Sequence, residues 1–393
     1  MKILLIHNNY LLAGGEDEVV ASERRLLESM GHEVISYLRH NREFESNSWL
    51  GKINFLFTDF YWSFKSYQDI KSLIKQHQFD IAHIHNIFYV ISPSIYQACA
   101  EANLPVVQTL HNYRLICPSA TLFRDGKPCQ KCVQGNKGWA IWHKCWKKSA
   151  VLTALLARTT NQFFSKGIIQ HQISVFIALS QFSRNMLIQG GLPQERIVVK
   201  ANFLDSDPGV EVQKGSDVIY VGALHSYKGV SVLLEAWRLL GTNQRLKIIG
   251  EGPLRPDLEK QAKGLTIDFL GQQSQQDTLT LIRKAKCLVI PSVCYENFPR
   301  VLVEAYACGV GVIASRIGAL AELVKDGQTG LHFTAGNSHD LKEKLEQLLN
   351  NPHGAEHLGK NARQEFLDHY TSAENYKVLM GIYQQAIQTK MVS

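Results

Sequence analysis

The stretch that decides the fold runs from Ile290 to Gly311 and reads Ile-Pro-Ser-Val-Cys-Tyr-Glu-Asn-Phe-Pro-Arg-Val-Leu-Val-Glu-Ala-Tyr-Ala-Cys-Gly-Val-Gly. An apolar run from Cys287 to Pro291 predicts a buried parallel strand, and a loop containing asparagine and proline follows it. Val301 to Ala307 predicts a helix whose N-terminus faces the carboxyl end of that strand. Ligands of open α/β sheets bind at this end of the strands. The stretch therefore predicts the strand, binding loop and helix of an α/β domain.

Two carboxylates stand in this stretch, Glu296 in the loop and Glu304 in the helix. The free N–H groups in the first turn of a helix suit phosphate, and carboxylate oxygens accept hydrogen bonds from hydroxyls. Together these groups suit a ligand with both phosphate and hydroxyls, such as a sugar nucleotide. An ordinary βα unit with surface glutamates is the alternative, so the interpretation depends on the surrounding motifs.

With Phe298 and Gly309 also in place, the stretch resembles the E-x7-E element of retaining glycosyltransferases of family 4, within group 1. The resemblance implies an α/β fold of the GT-B architecture, with two Rossmann-like doubly wound domains facing a cleft. It implies transfer of a hexose-type sugar from a nucleotide-diphosphate sugar to an acceptor hydroxyl, with retention and without a catalytic metal. Glu304 would hold the ribose, and Glu296 the sugar hydroxyls.

The length and the alternation of strands with helices predict two domains. A chain of 393 residues exceeds the size at which single cores stop growing. Strand and helix patterns alternate in both halves, which predicts parallel sheets, and the alternation is lost over 201–216. We predict an acceptor-side domain over 1–200 with a Cys-rich basic insertion at about 117–148, a donor domain over 201–371, and a C-terminal helix over 372–393 that returns to the first domain.

The sequence also bears on location. No apolar run is long enough to cross a bilayer, and His7, Asn8 and Asn9 interrupt the N-terminal apolar residues before a signal-peptide core could form. A cytoplasmic enzyme is therefore expected, and stable disulfides would be unusual there.

A second motif, Gly222-Ala-Leu-His-Ser-Tyr-Lys-Gly229, follows the first predicted strand of the donor domain. It resembles the family's Gly-Arg-Leu…Lys-Gly element, in which an arginine and a lysine neutralise the donor diphosphate. Lys228 keeps the lysine, but Ala223 stands where the arginine is usual. Because charge-assisted hydrogen bonds are strong, we hypothesise that Arg300 replaces the missing cation. A solvated helix residue is the alternative for Arg300.

Two glycine loops complete the predicted donor site. Leu246-Lys-Ile-Ile-Gly-Glu-Gly-Pro253 matches the family's Gly-(Asp/Glu)-Gly-Pro loop, so Gly250, Glu251 and Gly252 are expected near the nucleotide. Near the N-terminus, Ala13-Gly14-Gly15 resembles the family's Gly-Gly loop, whose backbone faces donor and acceptor. A tight βα turn is the alternative for these two glycines.

One histidine completes the predicted catalytic set. His111 lies just after a predicted strand and matches the family histidine that hydrogen-bonds the donor sugar. By the same resemblance, His111, Lys228 and Glu296 are the catalytic candidates, and Asn297-Phe298-Pro299-Arg300 is expected to bind the donor. The family usually has Gly-Phe-Gly between its two glutamates, so the contacts of this loop with the donor phosphates are expected to differ from those of the family.

Two other polar motifs resemble metal sites and are interpreted otherwise. His83 and His85 end a strand on one face, but two histidines alone make a poor metal site, so structural or acceptor-side roles are preferred. Asp205-Ser-Asp207 lies in the predicted linker rather than beside a nucleotide-binding strand. We interpret it as structural.

Four cysteines predict a different kind of site. Cys117, Cys129, Cys132 and Cys145 fall in one loop, with a C-x2-C knuckle at its centre. Four thiolates at such spacing suit a tetrahedral zinc ion, which would be structural rather than catalytic. Buried cysteines or a redox pair are the alternatives.

The same loop is strongly basic. Between residues 117 and 166 the only acid is Asp125, and Trp139, Trp142 and Trp146 interleave with the lysines. Basic residues beside interfacial aromatics suit an anionic membrane surface, so the enzyme is expected as a peripheral protein on the inner membrane face. A solvated basic face over buried tryptophans is the alternative.

The remaining choice concerns function. We expect a carbohydrate or lipid-linked acceptor and a place in polysaccharide or glycolipid assembly. A basic zinc-ribbon protein that binds nucleic acid and a GT-B nucleotide-sugar epimerase are the alternatives. The cysteine loop has no recognition helix of its own and the donor motifs recur in order, so no nucleic-acid partner is expected.

Overall fold

The chain divides into two compact units. The computed structural model describes residues 1–11, 14–46, 48–211 and 214–392, apart from the side chains of residues 391 and 392. The first unit holds Met1–Leu122, Gln130–Ala201 and Asn375–Ser393, and the second holds Phe123–Cys129 and Asn202–Glu374. The boundary between Ala201 and Asn202 lies at the start of the predicted linker.

The first unit is built on a six-stranded parallel sheet. The first eight strands are β1 Lys2–Asn9, β2 Glu33–His40, β3 Ile81–Ile84, β4 Val106–Thr109, β5 Phe123–Arg124, β6 Lys127–Pro128, β7 Val175–Ala178 and β8 Ile197–Val199. The sheet has the order β2-β1-β3-β4-β7-β8, and all of its pairings are parallel. Strands β5 and β6 form a separate antiparallel hairpin, which belongs to the second unit. Strands β3, β4 and β7 are buried along their length, as expected for a parallel sheet covered on both faces.

Helices connect these strands. They are α1 Gly15–Ser29, α2 Arg42–Glu45, α3 Trp49–Phe57, α4 Phe64–Gln76, α5 Ser94–Glu101, α6 Gly138–Trp142, α7 Ala150–Ser165 and α8 Gln181–Gln189. Ser63, Ser149 and Ser180 begin α4, α7 and α8, and each hydroxyl accepts a hydrogen bond from a backbone N–H of the first turn. Ile168–Gln172 forms a π-helical turn, and Gln194–Arg196 forms a 3₁₀ turn.

The second unit repeats the architecture with a different strand order. Its strands are β9 Val218–Val221, β10 Leu246–Ile249, β11 Ile267–Gly271, β12 Cys287–Ile290, β13 Val312–Ser315 and β14 Gly330–Phe333. Its helices are α9 Val230–Leu240, α10 Arg255–Gln261, α11 Gln275–Lys284, α12 Arg300–Ala307, α13 Leu320–Leu323, α14 Ser338–Leu349 and α15 Pro352–His369. The order β11-β10-β9-β12-β13-β14 is that of a Rossmann fold. The predicted strand and helix around Glu296 are β12 and α12.

The last helix, α16 Ser372–Val392, belongs mainly to the first unit. Its Leu379, Ile382, Tyr383 and Ala386 are buried in the core of that unit, against residues that include Ile3 of β1. The C-terminal helix predicted over 372–393 corresponds to α16. Within the described ranges, no helix is both long enough and apolar enough to span a membrane.

Candidate functional site

The second unit brings two predicted motifs together at its topological switch point. The strand order reverses between β9 and β12, and ligands of doubly wound folds bind outside the carboxyl ends of such strands. The loop after β9 carries Lys228, in a 3₁₀ turn over Ser226–Lys228. The loop after β12 carries Glu296. The fold thus gathers side chains that are 68 residues apart in sequence.

Lys228 and Glu296 form a direct ion pair. Nζ of Lys228 donates to Oε1 of Glu296 at 2.7 Å, and the Ser292 hydroxyl donates to the same oxygen at 2.6 Å. Burial by itself would raise the pKa of Glu296, but the Lys228 charge and the two hydrogen bonds outweigh it and hold the pKa below its ordinary value. Burial opposes the charged form of Lys228 too, and Glu296 reverses this effect, so the pKa of Lys228 is raised. Both groups are therefore charged at neutral pH.

The helix that follows carries the second glutamate and the arginine proposed to replace the missing cation. Pro299 precedes the first turn of α12, and Arg300 and Glu304 lie one turn apart on it, with Nε of Arg300 3.7 Å from Oε1 of Glu304. Both side chains are mostly buried, 13% and 12% exposed. Nε and Nη2 of Arg300 have no hydrogen-bond partner among the described residues. Buried guanidinium donors of this kind are ready to receive an anion.

The glycines of the predicted donor loops allow close packing of backbone on backbone. A Cβ atom on Gly250, where φ is +133°, would lie 2.0 Å from the carbonyl oxygen of Gly222. A Cβ atom on Gly252 would lie 2.6 Å from the carbonyl oxygen of Leu224. The N–H of Leu224 also donates to the Glu251 carbonyl at 2.9 Å. The backbones of the two loops therefore pack tightly against each other next to Lys228. The glycines shape the site by allowing this packing.

The other predicted donor residues differ in what they contact. The Phe298 ring is buried and lies 5.9 Å from the Tyr370 ring, edge to face, so it anchors the loop after β12. Asn297 lies in that loop beside Glu296 and is half-buried. The Glu251 carboxylate is half-exposed and pairs with Arg255. Their predicted contacts with a donor stay predictions.

The first unit has its own switch point, between β1 and β3, and histidines surround it. His7 lies in β1, two residues before its end, while His85 follows β3 and His111 follows β4. Nδ1 of His85 lies 2.9 Å from Nε2 of His111, and their rings stack with centroids 5.2 Å apart. Nε2 of His7 contacts Oδ1 of Asp17 at 2.9 Å. His111 is thus held by its neighbours rather than solvated.

The charges around this histidine pair define its protonation. Burial lowers the pKa values of His85 and His111 well below the ordinary range, so both rings are neutral. Oε2 of Glu23 lies 3.3 Å from Nε2 of His85 without a hydrogen bond between them, and the charge of the carboxylate favours a proton on that nitrogen. Nδ1 of His85 is then the acceptor, and Nε2 of His111 is the donor. It follows that Nδ1 of His111 carries a lone pair.

A three-residue group behind the histidines has metal-like spacing. Glu23, His83 and His85 place potential ligand atoms within 4.8 Å of one another. The Glu23 carboxylate already contacts Nζ of Lys200 at 2.8 Å, and the two nitrogens of His83 contact hydroxyls of Tyr383 and Thr109. The Lys200 ammonium would repel a cation. These groups form a buried polar network in the first unit, and the choice between structural and acceptor-side roles for His83 and His85 stays a prediction.

The four cysteines do not gather in the same way. Among the described residues, Glu23, His83 and His85 form the one group with this metal-like spacing. No three of the sulfur atoms of Cys117, Cys129, Cys132 and Cys145 therefore lie within 4.8 Å of one another. Sγ of Cys117 contacts the Ser119 hydroxyl at 3.1 Å, and Cys129 belongs to the second unit. The zinc site stays a prediction, and none of the chemistry below uses it.

The N-terminal glycine loop leads into a pocket of the first unit. Ala13 lies outside the described residues, while a side chain on Gly14 or Gly15 would meet nothing within 4 Å. The Gly14 N–H donates to Asp17 at 2.8 Å, which begins α1. The next residue, Glu16, lines the pocket together with His111, Arg114, Phe60, Tyr89, Leu156 and other side chains. The pocket is lined by both polar and apolar side chains.

Sequence reasoning missed several of these groups. The pKa of Glu16 is raised to about 8 by burial and by the Asp17 charge, and it accepts a hydrogen bond from Tyr10 at 3.2 Å. The Arg114 guanidinium lies 3.8 Å from the centroid of the Phe88 ring. Glu23 and Lys200 are buried and paired. A charged residue on the apolar face of an amphipathic helix, such as Glu23 among Val19, Val20, Leu26 and Leu27 of α1, is the sequence signal that could have identified Glu23.

The linker motif Asp205-Ser-Asp207 is structural, as interpreted. Both carboxylate oxygens of Asp207 receive hydrogen bonds from the Arg363 guanidinium, at 2.7 and 2.6 Å. These bonds lower the pKa of Asp207. The pair fixes the linker on α15 within the second unit.

Comparison with known proteins gives matches along most of the chain. The model of "Glycosyltransferase Family 4" matches residues 13–208, and that of "Glycosyl transferases group 1" matches residues 205–365. An uncharacterized glycosyltransferase of Methanocaldococcus jannaschii is 38% identical over 149 residues, 37% of this chain and 42% of that protein. The alpha-D-kanosaminyltransferase of Streptomyces kanamyceticus is 26% identical over 296 residues, 72% of this chain and 71% of that protein. The chain thus spans less than half the length of the first relative.

A solved structure extends the likeness to the whole fold. The Anabaena protein HepE, in complex with UDP, matches with a TM-score of 0.66 at 18% identity and covers 98% of this chain and 100% of its own. The match confirms the predicted fold class, which is GT-B with two Rossmann-like α/β domains.

Proposed function

Because the chain belongs to the family 4 glycosyltransferases of group 1, we propose that it transfers a hexose-type sugar from a nucleotide-diphosphate sugar to an acceptor hydroxyl, with retention of configuration. The observation that carries the proposal is the buried guanidinium of Arg300, whose Nε and Nη2 have no hydrogen-bond partner in the described part of the chain. It stands in the first turn of α12, at the edge of the sheet where Lys228 and Glu296 meet. A diphosphate supplies the anionic oxygens that such donors bind.

In this proposal the leaving diphosphate is stabilised by two cations. Lys228 is held in place by its 2.7 Å bond to Glu296, which uses one of the three N–H donors of the ammonium. Arg300 supplies the second charge, in place of the arginine that Ala223 lacks. Fixed donors aimed at developing negative charge lower the barrier without reorganisation, so the proposed catalysis needs no metal.

The two glutamates would hold hydroxyls. The hydrogen bonds from Lys228 and Ser292 both end on Oε1 of Glu296, so we assign Oε2 to a hydroxyl of the transferred sugar. Glu296 stays ionised because its pKa is lowered, and an ionised carboxylate is an acceptor only. Glu304 would hold the ribose, next to Arg300 on the same helix.

The pocket of the first unit is the proposed acceptor site. His111 would present the Nδ1 lone pair to a hydroxyl, and Glu16, protonated at neutral pH, would donate a hydrogen bond. Phe60, Tyr89 and Leu156 supply an apolar wall. This combination supports a carbohydrate acceptor that carries an apolar group, as in polysaccharide or glycolipid assembly at a membrane.

Thermal-shift measurements with UDP-, GDP- and ADP-sugars test the donor part of the proposal. A ligand that binds the folded protein alone raises the unfolding midpoint, so one of these sugar nucleotides is expected to do so. The rise should be reduced in Arg300→Ala and kept in Arg245→Ala, an exposed arginine that pairs with Asp268. If none of the three classes shifts the midpoint of the wild type, the proposal is wrong.

A further inference from the structure

Helix α3 of the first unit exposes a stripe of large apolar side chains. Trp49 is 74% exposed, Leu50 70% and Phe57 66%, and Ile53 lies between them. These positions follow the spacing of one helical face. The opposite face of α3 holds Phe55, which is buried among aromatic residues. A stripe of this size on the surface marks an interaction site.

The basic loop contacts the aromatic cluster that also holds Phe55 of α3. Phe55 and Phe60 pack in one cluster with Leu156 of α7 and with Trp146, and the rings of Phe60 and Trp146 stack with centroids 5.9 Å apart. Trp142, four residues before Trp146, is 79% exposed. The apolar stripe and the exposed tryptophan are thus joined through one packed cluster, within one unit.

The segment that carries Trp142 is strongly basic. From residue 130 to residue 166 the sequence contains no acid and seven cations, of which Lys137 is buried and the other six are Lys131, Lys144, Lys147, Lys148, Arg158 and Lys166. On the α3 side, Lys52 pairs with Glu45 at 3.0 Å, which neutralises that carboxylate. Exposed large apolar side chains and exposed lysines in one unit match the layers of an anionic bilayer, with its apolar interior and negative headgroups.

We propose that the exposed face of α3, together with Trp142 and the lysines of residues 144–148, docks on an anionic lipid bilayer. The apolar stripe enters the interface, and the lysines contact the headgroups. Phe60, Tyr89 and Leu156 belong to the cluster beneath α3 and also line the pocket of His111. Docking would therefore place the pocket's apolar wall next to the lipid.

Vesicle sedimentation of the full chain tests the proposal and needs no sugar nucleotide, so its result is independent of the proposed transfer. The probes are vesicles of phosphatidylcholine alone and of phosphatidylcholine with phosphatidylglycerol in equal amounts. We expect binding to the anionic vesicles, weaker binding to the neutral ones, and a loss of the difference as salt is raised. Failure to bind anionic vesicles, or equal binding to both kinds, would overturn the proposal.

Two pairs of variants separate the contributions. Trp49→Ser with Phe57→Ser should weaken vesicle binding about tenfold or more, and Lys144→Gln with Lys148→Gln about fivefold per lysine. The matched controls are Leu239→Ser with Leu367→Ser, and Lys260→Gln with Lys360→Gln, exposed residues of the second unit that should leave binding unchanged. Equal losses in the control pairs would contradict the assignment. So would binding to single-stranded RNA that competes fully with the vesicles.

Discussion

Nζ of Lys228 lies 2.7 Å from Oε1 of Glu296, and this ion pair joins the two strand-end loops of the second unit. Replacement of Glu296 by glutamine leaves the buried ammonium with a neutral partner. We expect Glu296→Gln to lower the free energy of unfolding by about 1–3 kcal/mol at neutral pH, as measured by denaturant titration.

The pH dependence of that difference follows from the pKa shifts. The pKa of Glu296 is lower in the folded state, so its contribution is present above the unfolded value, about 4.3, and is lost as the pH falls through the folded value. The pKa of Lys228 is raised, so its contribution is present below about 10.4 and is lost as the pH rises beyond the folded value. The difference between wild type and Glu296→Gln should be constant at neutral pH and shrink below about pH 4. A difference that grows on acidification would contradict the ion pair.

Gly250 tests whether the glycine loops shape the site. A Cβ atom there would lie 2.0 Å from the Gly222 carbonyl oxygen, at a φ of +133°. Gly250→Ala should therefore lower the free energy of unfolding by more than about 3 kcal/mol, or prevent folding of the second unit. Gly264→Ala, at φ +80° with nothing within 4 Å, should cost only about 1–2 kcal/mol of backbone strain. Equal effects of the two variants would show that overlap with Gly222 does not matter.

Variants of Arg300 test whether its guanidinium binds the phosphates of the donor. Loss of a charge-assisted hydrogen bond costs about 1.5–3 kcal/mol, so Arg300→Ala should weaken sugar-nucleotide binding about 10- to 100-fold in calorimetric titration. Arg300→Lys should restore part of the affinity, because it keeps the charge without the planar fork. If Arg300→Ala binds the sugar nucleotide as tightly as the wild type, Arg300 does not bind the diphosphate, and Lys228 is the one cation left in the proposal.

The protonation of the histidine pair can be read by NMR. We expect the ¹⁵N shifts of His111 at neutral pH to show a proton on Nε2 and a lone pair on Nδ1, because Glu23 favours a proton on Nε2 of His85. The double variant Glu23→Leu with Lys200→Met removes this preference for the Nε2 proton, and it leaves neither charge of the pair buried without its partner. His111 should then populate both tautomers. A proton on Nδ1 of wild-type His111 would contradict the assignment.

The donor motifs could be read from sequence because they are local. The strand, loop and helix around Glu296 depend on short-range periodicity, and β12 and α12 begin and end within one residue of the predicted bounds. The lysine and the glutamate could both be named, but their contact could not, since it depends on the strand order of the second sheet. Spacing alone does not reveal which strands are neighbours.

The first unit was less predictable for the same reason. His83 and His85 could be placed on one strand end, but Glu23 and Lys200, which lie on other elements, reach them only through the fold. Trp139, Trp142 and Trp146 look alike in sequence, whereas the structure exposes Trp142 and stacks Trp146 on Phe60. For the four cysteines, spacing alone does not decide the site, because no three of their sulfur atoms lie within 4.8 Å of one another in the described residues and the zinc ion stays a prediction.

The most direct test of the central claim is release of nucleoside diphosphate from the sugar nucleotide that binds best, followed with a coupled assay in the presence of candidate acceptors. The wild type should release the diphosphate, and Lys228→Ala, with its fold checked by circular dichroism, should do so at least about 100-fold more slowly. Release by Lys228→Ala at the wild-type rate would contradict the account, as would the absence of release by the wild type from any UDP-, GDP- or ADP-sugar.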